Sequence, residues 1–100
     1  MKRDRYSAAY DEISARRNRV MADMIRDVCD IVELPVRFSG SDAIIETCNT
    51  VWRFDYTVRP TKVESYEHSE DTPEAEKLVQ SPAEAIAYII QSRSKEATSH

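Results

Sequence analysis

The sequence predicts an α+β domain with a long N-terminal helix, a three- to four-stranded antiparallel sheet, and a C-terminal helix packed on the same sheet face. Three observations carry this. No glycine or proline interrupts Ser7 to Glu33, where apolar residues recur at helical spacing. Trp52, Phe54, Tyr56 and Val58 alternate with Val51, Arg53, Asp55 and Thr57, the period of two that gives a strand one buried face. Ser81-Pro82-Ala83-Glu84 places a capping serine, a proline at the first helical position and a glutamate three residues beyond the cap.

In the first helix, Tyr6, Tyr10, Ile13, Val20, Met21, Met24, Val28, Ile31 and Val32 fall on one face, a stripe about 100° wide. Glu12 and Arg16 form a favourable four-residue pair, and Arg19 with Asp23 and Arg26 with Asp30 form reversed ones. Arg17 sits in the middle of the apolar stripe. Either the helix breaks near Arg16 to Arg19, or Arg17 lies where the helix overhangs the core. Pro35 ends the helix, because the residue before a proline is pushed towards extended backbone.

Val36 to Ser39 reads as a short strand, Gly40-Ser41-Asp42 as a turn, Ala43 to Cys48 as a second strand and Asn49-Thr50 as another turn. Val51 to Arg59 is the strongest strand, stopped by Pro60. Thr61 to Glu67 reads as an edge strand whose charges discourage stray pairing. Thr72-Pro73-Glu74 looks like a helix start, so Thr72 to Gln80 reads as a short helix. In the last helix Ala85, Ile86, Ile89 and Ile90 form the apolar stripe, while Arg93 and Lys95 suit its negative end. Residues 1–6 and 94–100 are expected to fray. Arg37, Arg53 and Asp55 belong to the sheet face left in water.

One hundred residues form one domain, residues 1–100, with room for a single core. A net charge of −4 argues against whole-molecule attraction to nucleic acid or anionic membrane. Cys29 and Cys48 lack metal-type spacing and read as buried thiols in a reducing compartment. The longest apolar runs are far short of the ~18–20 residues that span a bilayer. The basic N-terminus has no apolar run behind it, so it is not a secretory signal. A cytoplasmic protein is expected.

Reactive groups are sparse. The histidines are His68, in an acidic stretch, and His100. Catalysis or metal binding needs several groups converging on one point, and His68 among Glu64, Glu67, Glu70 and Asp71 is the only local cluster. Its simpler reading is a solvated loop. Gly40 is the sole glycine, which excludes glycine-rich phosphate loops. No enzyme activity, cofactor or metal is expected.

Charge is the strongest signal. Glu64, Glu67, Glu70, Asp71, Glu74 and Glu76 fall within thirteen residues that hold no Lys or Arg. They are either a solvated connector with helix-complementing glutamates, or a carboxylate row presented to a basic groove on another protein. At the other end Lys2, Arg3, Arg5, Arg16, Arg17 and Arg19 outnumber Asp4, Asp11 and Glu12. Cations at a helix start oppose its dipole, so this segment is either a disordered tail or a contact for phosphate or an acidic partner.

The helix-strand-strand-strand-helix order resembles that of double-stranded RNA-binding domains. Those domains carry a basic cluster at the start of the second helix, where this chain holds Thr72, Glu74, Glu76 and Glu84. The departure falls where phosphate contact would occur. The sequence therefore points to a small intracellular protein-binding regulator or inhibitor acting through charged patches, compatible with a phage-type accessory protein that disables a host defence or nucleic-acid enzyme. Its alternatives are a nucleic-acid binder using Arg3, Arg5, Arg16, Arg17 and Arg19, and a homodimer formed through the first helix.

Overall fold

A computed structural model describes residues 5–68 and 71–98. Its elements in chain order are α1 (Arg5–Ile31), β1 (Val36–Ser39), β2 (Asp42–Glu46), β3 (Thr50–Asp55), β4 (Thr61–Glu67), β5 (Ala75–Val79) and α2 (Pro82–Thr98). The strands form one antiparallel meander in the order β1-β2-β3-β4-β5. The α+β class and the shared helix face match the sequence reading. The strand count is five, not three to four. Expected fraying at residues 1–4 and 99–100 lies outside the described residues.

The added strand is β5, where a short helix over Thr72 to Gln80 was expected. Five to nine residues of moderate helix formers cannot nucleate a stable helix alone, whereas Ala75 to Val79 can satisfy its backbone by pairing with β4, with Thr61 opposite Val79 and Glu64 opposite Glu76. This pairing makes β4 an interior strand rather than an edge. It also removes the strand order from that of the RNA-binding domains it resembles.

Helix α1 runs unbroken past Arg16 to Arg19. It ends in a left-handed turn at Glu33 (φ 60°), with the Leu34 N–H donating to the Cys29 carbonyl at 2.9 Å and the Glu33 N–H to that of Asp30 at 3.3 Å. This is the Schellman pattern, in which glycine is the usual residue at the left-handed position. A Gly40 φ of 61° opens the two-residue loop between β1 and β2, again the conformation glycine suits best. Strand β3 stops at Asp55, short of the expected Arg59. There the Asp55 carboxylate accepts the Thr57 N–H (2.8 Å) and hydroxyl (2.6 Å), curling the chain into a turn. Helix α2 starts as expected: the Glu84 N–H donates to Ser81 Oγ (3.3 Å), and Glu84 Oε2 accepts from the Gln80 N–H (2.8 Å).

The core lies between the helices and one sheet face. Ile25 and Cys29 of α1, Ala85, Ile86 and Ile89 of α2, and Ala43, Ile45, Trp52, Phe54 and Val63 of the sheet are buried together. Each large side chain so buried contributes about 1.5–3 kcal/mol. Buried polar groups are partnered: the Trp52 indole N–H donates to Thr47 Oγ1 (3.1 Å), and that hydroxyl donates to the Thr50 carbonyl (3.2 Å). Helix α2 lies over β3, β4 and β5 and touches α1, and Arg93 donates to the Val32 carbonyl at the end of α1. Only the second half of α1 is seated. Its first half projects as an overhang with Tyr10, Ile13 and Val20 exposed, which draws the molecule out to 61 Å in one direction against 29 and 22 Å in the others.

Candidate functional site

The helix-free sheet face holds the charged residues. Alternation along each strand sends alternate side chains to opposite faces, and the register aligns Arg37, Ile44, Arg53, Glu64 and Glu76 in one row across all five strands. A second row aligns Glu46, Val51 and Tyr66. Ile44 is only 7% exposed although no helix covers it; its row neighbours Arg37 and Arg53 carry long hydrocarbon stems that lie along apolar surface.

Beside this row lies an open hollow of about 290 Å³. Ile44 and Val51 form its apolar part, Arg37, Arg53 and Tyr66 reach into it, and Glu67 and Asp71 stand at its rim. Arg53 is not a free cation, since its Nη2 and Nε lie 2.6 and 2.8 Å from Asp42 Oδ2. That hydrogen bond first, and the Asp42 charge second, hold the guanidinium protonated beyond its ordinary range. The Tyr66 hydroxyl donates to Glu64 Oε2 at 3.3 Å. Desolvation, then the charge and hydrogen bond of Glu64, push the phenol pKa upward, so Tyr66 stays neutral at physiological pH. Both shifts move away from neutrality, the opposite of what proton transfer requires.

Carboxylates outnumber bases on this face. Arg53 is tied to Asp42, Arg37 approaches Glu46 at 3.9 Å and Lys62 approaches Glu76 at 3.9 Å. Glu64, Glu67 and Asp71 have no ion-pair partner among the described residues. Of the acidic residues singled out by sequence, the structure thus brings Glu64 and Glu76 side by side in register and puts Glu67 and Asp71 at the hollow. Glu74 is exposed just before β5, where its N–H donates to the Ser65 carbonyl at 2.7 Å. Glu70 lies outside the described residues. The connector reading is corrected for Glu64 to Glu67, which belong to β4, and the helix-complementing role is corrected for Glu74 and Glu76, which adjoin or join a strand.

The basic residues are not gathered in the same way. Arg3 lies outside the described residues, and Arg5 begins α1. Arg16, Arg17 and Arg19 are exposed on the overhang, where helical geometry puts Arg16 and Arg19 on one side and turns Arg17 to another. Arg16 is already paired with Glu12 at 2.7 Å. His68 is exposed in the turn after β4, and His100 lies outside the described residues. Cys29 is a buried free thiol whose pKa is raised by burial. Cys48 is exposed, correcting the expectation that both thiols are buried; it falls in the tight turn between Thr47 and Thr50 rather than in a strand. Among the described residues, no three His, Cys, Asp or Glu side chains are grouped so as to hold a metal ion, and no helix is long and apolar enough to cross a membrane.

No protein-family model, curated protein or solved structure matches this chain. Sequence reading placed Arg37 and Arg53 on the wet face but missed that Tyr66 and Asp71 join them. The signal was the alternation of β4, which sends Tyr66 to the same face as Glu64; without the register it could not be joined to Arg53.

Proposed function

We propose that this protein is a non-catalytic protein-binding module, a regulator or inhibitor whose acidic sheet face docks on a basic surface of a partner protein. The observation that carries the reading is the carboxylate pair Glu64 and Glu76, side by side on the sheet face that no helix covers, with Glu67 and Asp71 lining the hollow on that face. Clustered like charges raise the field above a surface, speed the capture of an oppositely charged partner and disfavour acidic ones. The hollow between Arg37, Arg53 and Tyr66 adds an apolar floor and an aromatic edge, features typical of the centre of an interface. A phage-type accessory protein that occupies a basic groove of a host enzyme fits this chemistry.

A nucleic-acid role through Arg3, Arg5, Arg16, Arg17 and Arg19 has less support, because Arg17 points away from Arg16 and Arg19 and Arg16 is paired with Glu12. The test is affinity capture with the full chain against the E67K/D71K/E76K variant, at low and high salt. The reading expects a partner retained at low salt, released at high salt and lost on charge reversal, with the fold intact. Retention of that partner by the variant sinks it.

A further inference from the structure

We propose that the outward stripe of α1 pairs antiparallel with the same stripe of a second copy, centred near Ala22, so that each overhang lies along the seated half of the other helix. Two apolar stripes run along α1. One, including Ile25 and Cys29, is buried against the sheet. The other runs through Tyr10, Ile13, Arg17, Val20, Met24, Asp27 and Ile31, alternating three- and four-residue steps, the spacing of a coiled-coil seam. Most of it is bare, with Tyr10 71% exposed, Ile13 53%, Val20 68% and Ile31 79%, while Met24 is half-buried at the edge of the core. From Tyr10 to Ile31 it extends about 31 Å, and it lies apart from the acidic sheet face, since α1 packs on the opposite side of the sheet.

Charge selects both the occupant and the direction. The two polar residues within the seam are Arg17 and Asp27, both exposed and neither with an ion-pair partner among the described residues. In an antiparallel pair centred on Ala22, Arg17 meets the second copy's Asp27, Ile13 meets its Ile31, and Val20 meets its Met24. Arg16, flanking the seam, falls near its Asp30. A parallel pair instead sets Arg17 against Arg17 and Asp27 against Asp27. Opposite charges within an otherwise apolar seam fix register and direction in this way. Arg26 stands aside, held over the Phe38 ring at 5.2 Å and paired with its own Asp23 at 3.2 Å.

Analytical ultracentrifugation of the full chain tests this, with R17D, D27R and R17D/D27R compared and circular dichroism confirming the fold of each. The wild type is expected to sediment at twice its 11.5 kDa chain mass. Each single variant brings like charges together and should weaken dimerisation at least ~tenfold, and the double variant should restore it. A wild type that remains monomeric at high concentration overturns the proposal, as do single variants that still dimerise or a double variant that stays apart. As a second readout in a C48S background, I13C chains mixed with I31C chains should form a mixed disulfide. Cross-linking of I13C chains to one another would establish the parallel arrangement instead. Because Arg17 and Asp27 lie away from the acidic sheet face, failure here leaves the docking proposal standing, and the converse holds.

Discussion

The two faces of the sheet are built from the same strands, yet they do different work. On β3, Trp52 and Phe54 point under the helices and are buried, while Arg53 between them points the other way and forms an ion pair near solvent. On β4, Val63 enters the core and its neighbour Glu64 faces outward opposite Arg53, whose guanidinium is bound to Asp42 instead. The covered face holds the fold; the open face is left to carry charge, because exposed ion pairs contribute little stability. A face that adds little to stability can present unneutralised carboxylates at small cost.

The largest effect should come from the covered face. Phe54→Ala is expected to lower stability by about 3–5 kcal/mol, through lost burial and the cavity left behind. Arg53→Ala, one residue away on the other face, should cost less than about 1 kcal/mol. Urea unfolding of the two variants measures the contrast directly, and equal losses would mean that the faces are not energetically distinct.

Asp55 marks the edge between the two. Burial alone would raise its pKa, but hydrogen bonds from the Thr57 hydroxyl, the Thr57 N–H and the Ser41 hydroxyl outweigh that and hold it below the ordinary 3.8. Its contribution is thus complete above the unfolded value and is lost as pH falls through the lower folded one. Asp55→Ala should cost about 1–2 kcal/mol at neutral pH. The difference from wild type should shrink in acid melts below that range, and an unchanged difference would contradict the assignment.

A smaller effect, of opposite sign, is expected where α1 is turned onto the covered face. Glu33 occupies left-handed backbone that disfavours side chains. Glu33→Gly should raise stability by roughly 0.5–1 kcal/mol, the relief of strain exceeding the added freedom of the unfolded chain. Thermal melts read the sign, and a loss would show that the Glu33 side chain contributes more than its backbone costs.

The elements legible in sequence were those with local signals. The alternation around Trp52 and Phe54, the Ser81 cap and the Gly40 turn each declare themselves within a few residues. Strand β5 did not, because Ala75 to Val79 has no strand-like composition and is held by pairing with β4, a non-local interaction. Arg17 signalled the overhang, but periodicity merged the two stripes of α1 into one, since it reports which residues share a side and not where the neighbouring element lies. The acidic row was visible as composition. Its meeting with Arg37, Arg53 and Tyr66 required the register of separate strands.

The central claim is that the open face contributes recognition rather than stability. The most direct measurement pairs the thermal melt of E67K/D71K/E76K with its salt-dependent capture of a basic partner. The account predicts a Tm close to wild type, because Glu76→Lys exchanges the like-charge pair with Glu64 for an opposite one while losing the exposed ion pair with Lys62, together with loss of capture. A clear fall in Tm, or capture that survives the reversal, would contradict it.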